Sequence, residues 1–266
     1  MEIIVLVKQV PDTSDVRIDP ETNTLVREGV RSILNPYDQF ALEEALKLRD
    51  ARGGTVTVLS MGPPQAGKAL RRCLALGADR TVLLSDRKFA GSDTWATSYT
   101  LARGIRKIGS FDIVMAGQQA IDGDTGQVGP EVAQLLDLPQ ATYVESVELE
   151  NGSIVMRQQM EGGIRILESK PPILIAGMPP PSYVPAIPSI KGILGTRKIG
   201  IEVWNAGDIG GDPSEFGLSG SPTQMIRTYS PPPRGHVEML RGDTGTQVRN
   251  LAKRLREIGI VHGEVD

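Results

Sequence analysis

The chain is organised around one stretch, Asp112-Ile-Val-Met-Ala-Gly-Gln-Gln-Ala-Ile-Asp-Gly-Asp-Thr-Gly-Gln-Val-Gly-Pro-Glu131, which continues as Val132-Ala-Gln-Leu-Leu136. It begins with a short apolar run bounded by Gly117, which predicts a buried strand. It ends with apolar residues at helical spacing, and Pro130 in the first turn places the helix start at about 127–129. A glycine-rich loop lies between the two. Because a helix start has unpaired N–H groups and glycines let an anion approach the backbone, this strand–loop–helix unit predicts a phosphate-binding site.

Two carboxylates in the same loop argue against direct contact between them and a phosphate. Asp122 and Asp124 would repel a diphosphate at close range, so both are expected to point away from it. Asp124 is predicted to cap the helix start, with Gln127 completing a capping box, and Asp122 to accept hydrogen bonds from ribose hydroxyls or loop N–H groups. A surface turn without a ligand remains an alternative. A magnesium site is a weaker one, because no further carboxylate lies at ligand spacing.

The composition excludes several classes of function. The 266-residue chain has 29 Lys and Arg against 32 Asp and Glu, a net charge of −3 that does not favour nucleic-acid binding. Its one cysteine, Cys73, lies in a helical pattern as a core residue, and His236 and His262 have no partners at metal-ligand spacing, so no metal site is expected. The sequence has no secretory signal and no membrane-spanning run, which predicts a cytoplasmic location without direct membrane insertion.

Up to Pro139 the chain alternates between predicted strands and helices. The strands are predicted at 3–7, 55–61, 81–85 and 113–116, with a small hairpin at 16–18 and 24–26. Helices are predicted from Asn35-Pro36, where Asn35 is the N-cap, after Gly62-Pro63-Pro64 and from Ser92-Asp93-Thr94. This alternation predicts an α/β fold with a mostly parallel, doubly wound sheet. Ligands bind such sheets at the carboxyl ends of the strands, where several of these loops would converge on one crevice.

The pattern changes after Pro139. Strands at 144–149, 154–158 and 163–168 predict an antiparallel extension, before a buried strand at 173–176. Residues 178–188 are rich in proline, which is typical of an irregular segment that makes a surface contact. Residues 205–242 predict an extended arm, followed by a last helix with Thr244 and Gln247 as its capping box. We therefore predict a nucleotide-binding α/β domain at 1–204 and an arm with a C-terminal helix at 205–266.

The chain carries no recognised catalytic motif. A Walker A motif, a Gly-x-Ser-x-Gly elbow and a Gly-x-Gly-x-x-Gly after the first strand are all absent, and no cysteine–histidine pair is placed for catalysis. No catalytic residue is therefore predicted. If the protein takes part in a reaction, the reactive atoms belong to a bound cofactor, for which the protein supplies position and electrostatics.

Several motifs together resemble the beta subunit of electron-transfer flavoproteins. They are Val7-Lys8-Gln-Val-Pro-Asp12, Asn35-Pro-Tyr-Asp38, Ser60-Met-Gly-Pro63, Gly77-Ala-Asp-Arg80, Gln119-Ala-Ile-Asp-Gly-Asp-Thr125, Glu161-Gly-Gly163 and Pro172-Ile-Leu-Ile-Ala176. The resemblance covers nearly the whole chain and implies a Rossmann-like fold of the adenine-nucleotide-hydrolase type. It also implies a heterodimer with an alpha subunit that carries an electron-transferring FAD, on which residues 205–266 would pack.

The same resemblance implies a nucleotide in the crevice of the beta subunit, AMP in simple members of the family and a second FAD in electron-bifurcating members. Asp122-Gly-Asp-Thr125, Gln127-Val-Gly-Pro130 and Gly91-Ser-Asp-Thr94 resemble the FAD-binding type. Gly123 also suits a diphosphate, because it leaves room and adds no charge. That type implies hydride transfer from NADH to this FAD. One electron then passes to the alpha-subunit flavin and a partner dehydrogenase or quinone oxidoreductase, and the other to ferredoxin or flavodoxin. An AMP-holding electron carrier and a stand-alone adenine-nucleotide-binding regulator remain alternatives.

Positions that match the motifs of this family predict which residues line the crevice. They are Leu6, Lys8, Asn35, Pro36, Tyr37, Asp38, Met61, Gly62, Thr94, Gln118, Gln119, Ala120, Ile121, Asp122, Gly123, Asp124, Thr125, Gly126, Gln127, Val128 and Gly129. The proline-rich segment and residues 187–198 match the region that recognises a partner dehydrogenase. Gly195-Thr-Arg-Lys198 is less basic than is usual there, and Arg165 stands where an acid or amide is common. These departures bear on the identity of the partner more than on the fold.

Overall fold

The computed structural model describes residues 1–12, 17–18, 25–26, 31–224, 226 and 239–261. By its internal contacts the chain divides into a compact unit, Met1–Arg227, and a second unit, Thr228–Asp266. His236 and His262 lie outside the described residues.

Five strands precede the first helix, and helices and strands then alternate along the first unit from residue 36 to residue 135. The strands are β1 Glu2–Leu6, β2 Gln9–Pro11, β3 Arg17–Ile18, β4 Leu25–Val26, β5 Ser32–Leu34, β6 Thr55–Met61, β7 Arg80–Leu84, β8 Ile113–Gly117, β9 Gln140–Glu150, β10 Ser153–Met160, β11 Gly163–Ser169, β12 Ile173–Gly177 and β13 Glu202–Trp204. The helices are α1 Pro36–Arg52, α2 Gly67–Leu76, α3 Thr94–Ile108, α4 Val128–Leu135, α5 Ile190–Gly195 and α6 Ala206–Ile209.

A nine-stranded sheet with the order β11-β10-β9-β12-β8-β1-β6-β7-β13 forms the centre of this unit. From β9 to β13 in that order every neighbouring pair is parallel, whereas β10 and β11 pair antiparallel at one end. The mostly parallel sheet with an antiparallel extension is therefore confirmed. The predicted hairpin forms as the antiparallel pair of β3 and β4, and β2 pairs antiparallel with β5.

Alternate residues of the central strand β1 pack against opposite layers of helices. Ile3 and Val5 belong to a core cluster with residues of α1 and α2, whereas Ile4 and Leu6 belong to a cluster with residues of α3 and α4. Because successive side chains of a strand point to opposite faces, a strand covered on both faces needs a continuous apolar run. The buried run from Ile3 to Val7 meets this requirement, as a doubly wound sheet demands.

The stretch that follows β13 differs from the predicted extended arm. Ala206, Ile209 and Phe216 are buried in the cluster that contains α3. The Phe216 ring lies 5.3 Å from each of the Phe89 and Tyr99 rings, measured between centroids. The division of the chain therefore falls after residue 227 instead of at 204/205. Three apolar residues spread over a glycine- and proline-rich stretch show no periodic pattern, so the sequence did not reveal this packing.

The second unit contains α7, Thr244–Glu257, at the position predicted for the last helix. Its predicted capping box is wrong by one residue. The carboxylate of Asp243, not the Thr244 hydroxyl, caps the helix by accepting the Thr246 N–H at 2.7 Å. The Gln247 amide donates to the Gly242 carbonyl at 2.9 Å. Packing of residues 205–266 on an alpha subunit stays a prediction.

Replacing Phe216 with alanine should destabilise the first unit by about 3 kcal/mol, because a buried aromatic side chain is lost and a cavity is left between Phe89 and Tyr99. Urea unfolding followed by far-UV circular dichroism measures the difference. Leu218→Ala, at a residue that is 54% exposed in the same stretch, is the matched control and should cost less than about 1 kcal/mol. Equal effects of the two changes would contradict the placement of Phe216 in the core.

Candidate functional site

The side chain of Asn35 ties the start of α1 to the loop that follows β8. Asn35 is fully buried. Its amide donates to the Gln119 carbonyl at 2.9 Å, and its Oδ1 accepts the Ile121 N–H at 3.3 Å. Asn35 occupies the N-cap position of α1 as predicted, but its side chain makes no cap hydrogen bond. The residue that begins the helix therefore serves to fix the glycine-rich loop.

Asp38 joins three segments of the chain at the same edge of the sheet. This carboxylate, in the first turn of α1, accepts the Lys8 N–H at 2.7 Å and the Gly117 N–H at 3.2 Å. Lys8 follows β1 and Gly117 ends β8, so one side chain fixes the carboxyl ends of two neighbouring strands. Burial raises the pKa of Asp38 from the ordinary 3.8 to about 7, although the hydrogen bonds to the carboxylate and the nearby Lys8 charge oppose this shift.

Gly117 permits this close approach because it has no side chain. A Cβ at this position would lie 2.4 Å from Asp38 Oδ1 and 2.6 Å from Tyr37 Cβ. Both distances are shorter than any van der Waals contact, and Asp38 is enclosed and unable to move aside. Steric exclusion of a Cβ therefore explains why glycine occupies position 117, at the end of the predicted strand.

Each carboxylate of the loop and of the following helix has a donor of its own. Asp122 forms an ion pair with Lys8 Nζ at 2.8 Å, and the Gln119 amide donates to Asp124. Glu131 in the first turn of α4 accepts from Ser98 Oγ at 2.9 Å and Thr94 Oγ1 at 3.1 Å. The acids that argued against a phosphate are therefore held by cationic or neutral donors. A magnesium ion would have to displace these donors, and no cluster of three or more metal-ligating side chains occurs within the described ranges.

The start of α4 has no side-chain cap. The helix begins at Val128 with Gln127 as its N-cap residue, and no side chain accepts from its first turn. The predicted capping box of Asp124 and Gln127 is therefore wrong. Asp124 adopts a left-handed backbone conformation with φ of 55°, and its N–H donates to the Ala120 carbonyl at 2.8 Å in a tight turn. The N–H groups of this first turn, at the positive end of the helix dipole, thus remain without a side-chain acceptor.

The remaining predicted residues lie along the same edge of the sheet, in different degrees of exposure. Leu6 ends β1 and is only 5% exposed, so it lies beneath the loops. Met61 ends β6, and the next residue, Gly62, donates its N–H to the Leu84 carbonyl at 3.0 Å. Pro36 and the loop residues Asp122, Gly123, Asp124, Thr125 and Gln127 are exposed, and Tyr37, Thr94, Gln119, Ala120, Ile121, Gly126 and Val128 are half-buried. Gln118 and Gly129 are buried.

Sequence reasoning missed Tyr143 of β9, which contacts the predicted site residue Gln118. Its N–H donates to Oε1 of the buried Gln118 at 2.7 Å. Its backbone has φ of 55°, a conformation that side-chain-bearing residues rarely adopt within a strand, and the residue is 47% exposed. The register of β9 against β12 shifts here. Bulges of this kind redirect a side chain, and no feature of the surrounding strand pattern in the sequence signals one.

The chain is similar to proteins of known family over most of its length. The family model described as "Electron transfer flavoprotein domain" matches residues 22–209. The caffeyl-CoA reductase-Etf complex subunit CarD of Acetobacterium woodii is 49% identical over 266 residues, covering 98% of this chain and 100% of that protein. The electron transfer flavoprotein subunit beta of Thermoanaerobacterium thermosaccharolyticum is 48% identical over 262 residues, with coverage of 98% and 100%. Protein FixA of Sinorhizobium fredii is 48% identical over 242 residues, with coverage of 88% and 85%.

A membrane-spanning helix is not found among the residues that the structure describes, since none of their helices is both long and apolar enough. The cytoplasmic location stays a prediction.

Substitution of Gly117 by alanine should destabilise the first unit by about 2 kcal/mol, because the added methyl group must push Asp38 and α1 away from β8. Thermal unfolding measures this change. Gly123→Ala is the matched control, since a Cβ there has no neighbour within 4 Å and the backbone has no positive φ. If the two variants unfolded at the same temperature, the close approach of Asp38 to β8 would be wrong.

The pKa of Asp38 predicts a pH dependence of stability with a definite sign. Folding raises this pKa from 3.8 to about 7, so within that window the folded protein keeps a proton that the unfolded chain has lost. The free energy of unfolding should therefore fall as pH rises through the window, by up to about 1.4 kcal/mol per pH unit, and level off above it.

Asp38→Asn removes this titration. The variant should be less stable at every pH, because an amide cannot accept from both N–H groups, but its stability should change less between pH 4 and about 7 than that of the natural protein. Urea unfolding at a series of pH values gives both slopes. Parallel slopes would show that another group is responsible.

Proposed function

Given that the chain belongs to the electron transfer flavoprotein family, as a beta subunit, we propose that it binds FAD in the crevice at the carboxyl ends of β1, β6 and β8. The observation that carries the proposal is the start of α4. Its first turn lacks a side-chain cap, and it follows a loop whose acids are already paired. A diphosphate at this position would accept hydrogen bonds from main-chain N–H groups in a region of positive helix dipole.

The residues present fit a dinucleotide in charge as well as in geometry. Lys8 pairs with Asp122 at 2.8 Å, so the loop brings no unpaired aspartate toward the phosphates at that point. Glu131 is drawn toward α3 by Ser98 and Thr94. The crevice therefore presents main-chain donors with the nearby carboxylates turned to other partners, which lowers the repulsion that an anionic ligand would meet.

The choice of FAD over AMP rests on the space at Gly123. An added Cβ there would meet no atom within 4 Å, and the flanking Asp122 and Asp124 are exposed. A larger or acidic side chain at this point would occupy or charge the space beside the loop. Glycine leaves it open, which suits the longer FAD better than AMP.

Bound FAD would supply the redox chemistry, accepting a hydride from NADH and passing electrons onward singly. The chain's own residues would hold and orient it. Asn35 and Asp38 fix the loops against which it lies, and the buried Gln118 holds Tyr143 at the edge of the crevice. The proposed route leads through an alpha subunit with its own FAD to a partner dehydrogenase or quinone oxidoreductase, and separately to ferredoxin or flavodoxin. Names such as "complex subunit" and "subunit beta" among the relatives support the heterodimer.

Two other functions remain as alternatives. A simple electron carrier would hold AMP in the same crevice and would not be reduced by NADH. A stand-alone adenine-nucleotide-binding regulator would be a monomer or homodimer. The whole-length similarity to proteins named as flavoprotein subunits favours the heterodimer over the regulator.

Co-expression with the alpha subunit and quantification of extracted nucleotides should give FAD from the beta subunit in addition to the FAD of the alpha subunit, and no AMP. Under anaerobic conditions, NADH should reduce the flavin of the complex and thereby lower its visible absorption. AMP in place of the additional FAD would reject the proposal in favour of the simple carrier.

Gly123→Asp tests whether the crevice is the binding site. The added side chain brings a negative charge into the space beside the phosphates, so FAD retention in the beta subunit should fall by about tenfold while the fold is kept. Gly123→Ala should retain FAD, because it adds no charge. Gly200→Asp, at an equally open glycine outside the crevice, carries the same charge change and should also retain it. Unaltered FAD content in Gly123→Asp would remove this loop from the site.

A further inference from the structure

A second concave surface lies beside the crevice and is not explained by nucleotide binding. This groove has a volume of about 390 Å³ and is formed by the β2–β5 pair, the first turns of α1, one face of α2 and Pro185 of the proline-rich segment. Of the predicted crevice residues only Pro36 lines it. The groove is therefore distinct from the predicted nucleotide crevice.

The walls of the groove combine aliphatic and cationic side chains. Ile33, Leu34, Pro36, Ala69 and Pro185 provide apolar contact, and Arg31, Lys68 and Arg72 provide positive charge. Asp12 is the acid among the described lining residues, and it has an interaction of its own. The chain has a net charge of −3, but the described lining residues of the groove carry three cations against one acid. A local excess of positive charge is a feature of surfaces that attract an acidic partner.

Arg72 is held in place at the groove by a buried amide. Gln39 is only 5% exposed, and its Oε1 accepts from Arg72 Nη2 at 3.1 Å and Nε at 3.3 Å. The Gln39 amide N–H group donates to the Ala186 carbonyl and to Glu43, both at 2.9 Å. The same network thus fixes the guanidinium and the proline-rich segment next to it. A pre-positioned cation loses little side-chain entropy on binding an anion.

Lys68 lies one helical turn before Arg72 on the exposed surface of α2. Like charges at this spacing repel each other and cost stability in the isolated protein. Among the described residues no carboxylate pairs with Lys68. A carboxylate from outside the chain would relieve the repulsion between the two cations.

An exposed apolar surface continues from the groove along the proline-rich segment. Val184, Ile187 and Ile190 are 82%, 88% and 79% exposed, and Pro185 between the first two forms part of the groove wall. Large aliphatic side chains that are this exposed and this close in sequence are typical of a protein–protein contact. The groove and this surface together make an apolar site bordered by cations.

We propose that the groove receives an acidic segment of a protein that exchanges electrons with this chain, which inserts an aliphatic side chain between Leu34, Pro36 and Pro185 while its carboxylates contact Arg31, Lys68 and Arg72. This inference rests on the proposed function, in which electrons are handed to other proteins. A nucleotide fits the groove less well, because its described lining residues include no aromatic ring to stack on a base and no glycine-rich turn.

The proposal is tested with the heterodimer and a fluorescein-labelled peptide, acetyl-Glu-Asp-Leu-Glu-Leu-Leu-Glu-Asp-amide, by fluorescence anisotropy at low salt. The peptide should bind, and added salt should lower its affinity because salt screens the charge pairing. Replacing the leucines with serine should weaken binding because the apolar contact is lost. Replacing the acids with lysine should abolish it. Equal binding of the serine peptide would overturn the proposed apolar anchor, and equal binding of the lysine peptide would overturn the proposed charge pairing.

Charge reversal in the chain locates the site. Lys68→Glu combined with Arg72→Glu should lower the affinity for the acidic peptide by about tenfold or more. Lys68→Glu alone, which breaks no described hydrogen bond, should lower the affinity by about threefold. Arg87→Glu with Lys88→Glu carries the same charge change at residues that do not line the groove and should leave binding unchanged. Equal weakening by the groove and control variants would reduce the effect to net charge and overturn the proposal.

Carbodiimide cross-linking joins a lysine amine to a carboxylate that lies against it, so mass spectrometry of the cross-linked complex should find the peptide on Lys68. Cross-links confined to lysines outside the groove would contradict the proposal. These measurements are independent of the nucleotide analysis. If the natural complex lacked the FAD of the beta subunit, the function proposed above would be refuted. If the peptide failed to bind while that FAD was present, only the proposed role of the groove would be refuted.

Discussion

One buried carboxylate holds together the chain segments that form the candidate site. Asp38 satisfies the N–H groups of Lys8 and Gly117, which lie at the ends of two neighbouring strands. Buried N–H groups without acceptors are costly, so this side chain determines where the loops after β1 and β8 lie. Burying this carboxylate also has consequences for its ionisation and for the local packing. Removing the carboxylate from water raises its pKa to about 7, and the approach of α1 to β8 requires glycine at position 117.

The loops that Asp38 positions bring several acids close to a helix start, and the pairing of those acids decides what this edge of the sheet can bind. Left unpaired, Asp122 and Asp124 would exclude an anion. Lys8 and Gln119 each donate to one of them, and hydroxyls of α3 draw Glu131 to the side. What remains at the start of α4 is a set of main-chain donors without a side-chain cap. The sequence contains the acids and the glycines, but two of the three acids are paired by distant residues. Lys8 lies 114 positions from Asp122, and Ser98 and Thr94 lie 33 and 37 positions from Glu131.

Local patterns predicted the elements of this fold, and long-range contacts account for what they missed. The apolar run of β1, the proline in the first turn of α4 and the alternation of strands and helices are properties of adjacent residues, and the sheet formed as they indicated. Asn35 was placed correctly as the first residue of α1, but its side chain is used by a loop that lies more than eighty residues further on. The left-handed Tyr143 and the buried Phe216 likewise depend on Gln118 and on the rings of α3 and its preceding turn. No periodicity within a short window encodes such pairs.

The first turn of α1 also explains why the proposed nucleotide crevice and the groove keep a fixed relation. Asp38 contacts the strand ends where the crevice is proposed, and the next residue, Gln39, contacts Arg72 and the proline-rich segment at the groove. Both residues are buried in one 17-residue helix, so neither site can shift without displacing the other. Coupling between sites requires two arrangements that a ligand distinguishes, and a rigid helix supplies only one. Its part in the proposed function is therefore to hold a docked protein at a set distance from the nucleotide, which is what electron transfer between two proteins requires of the scaffold that joins them.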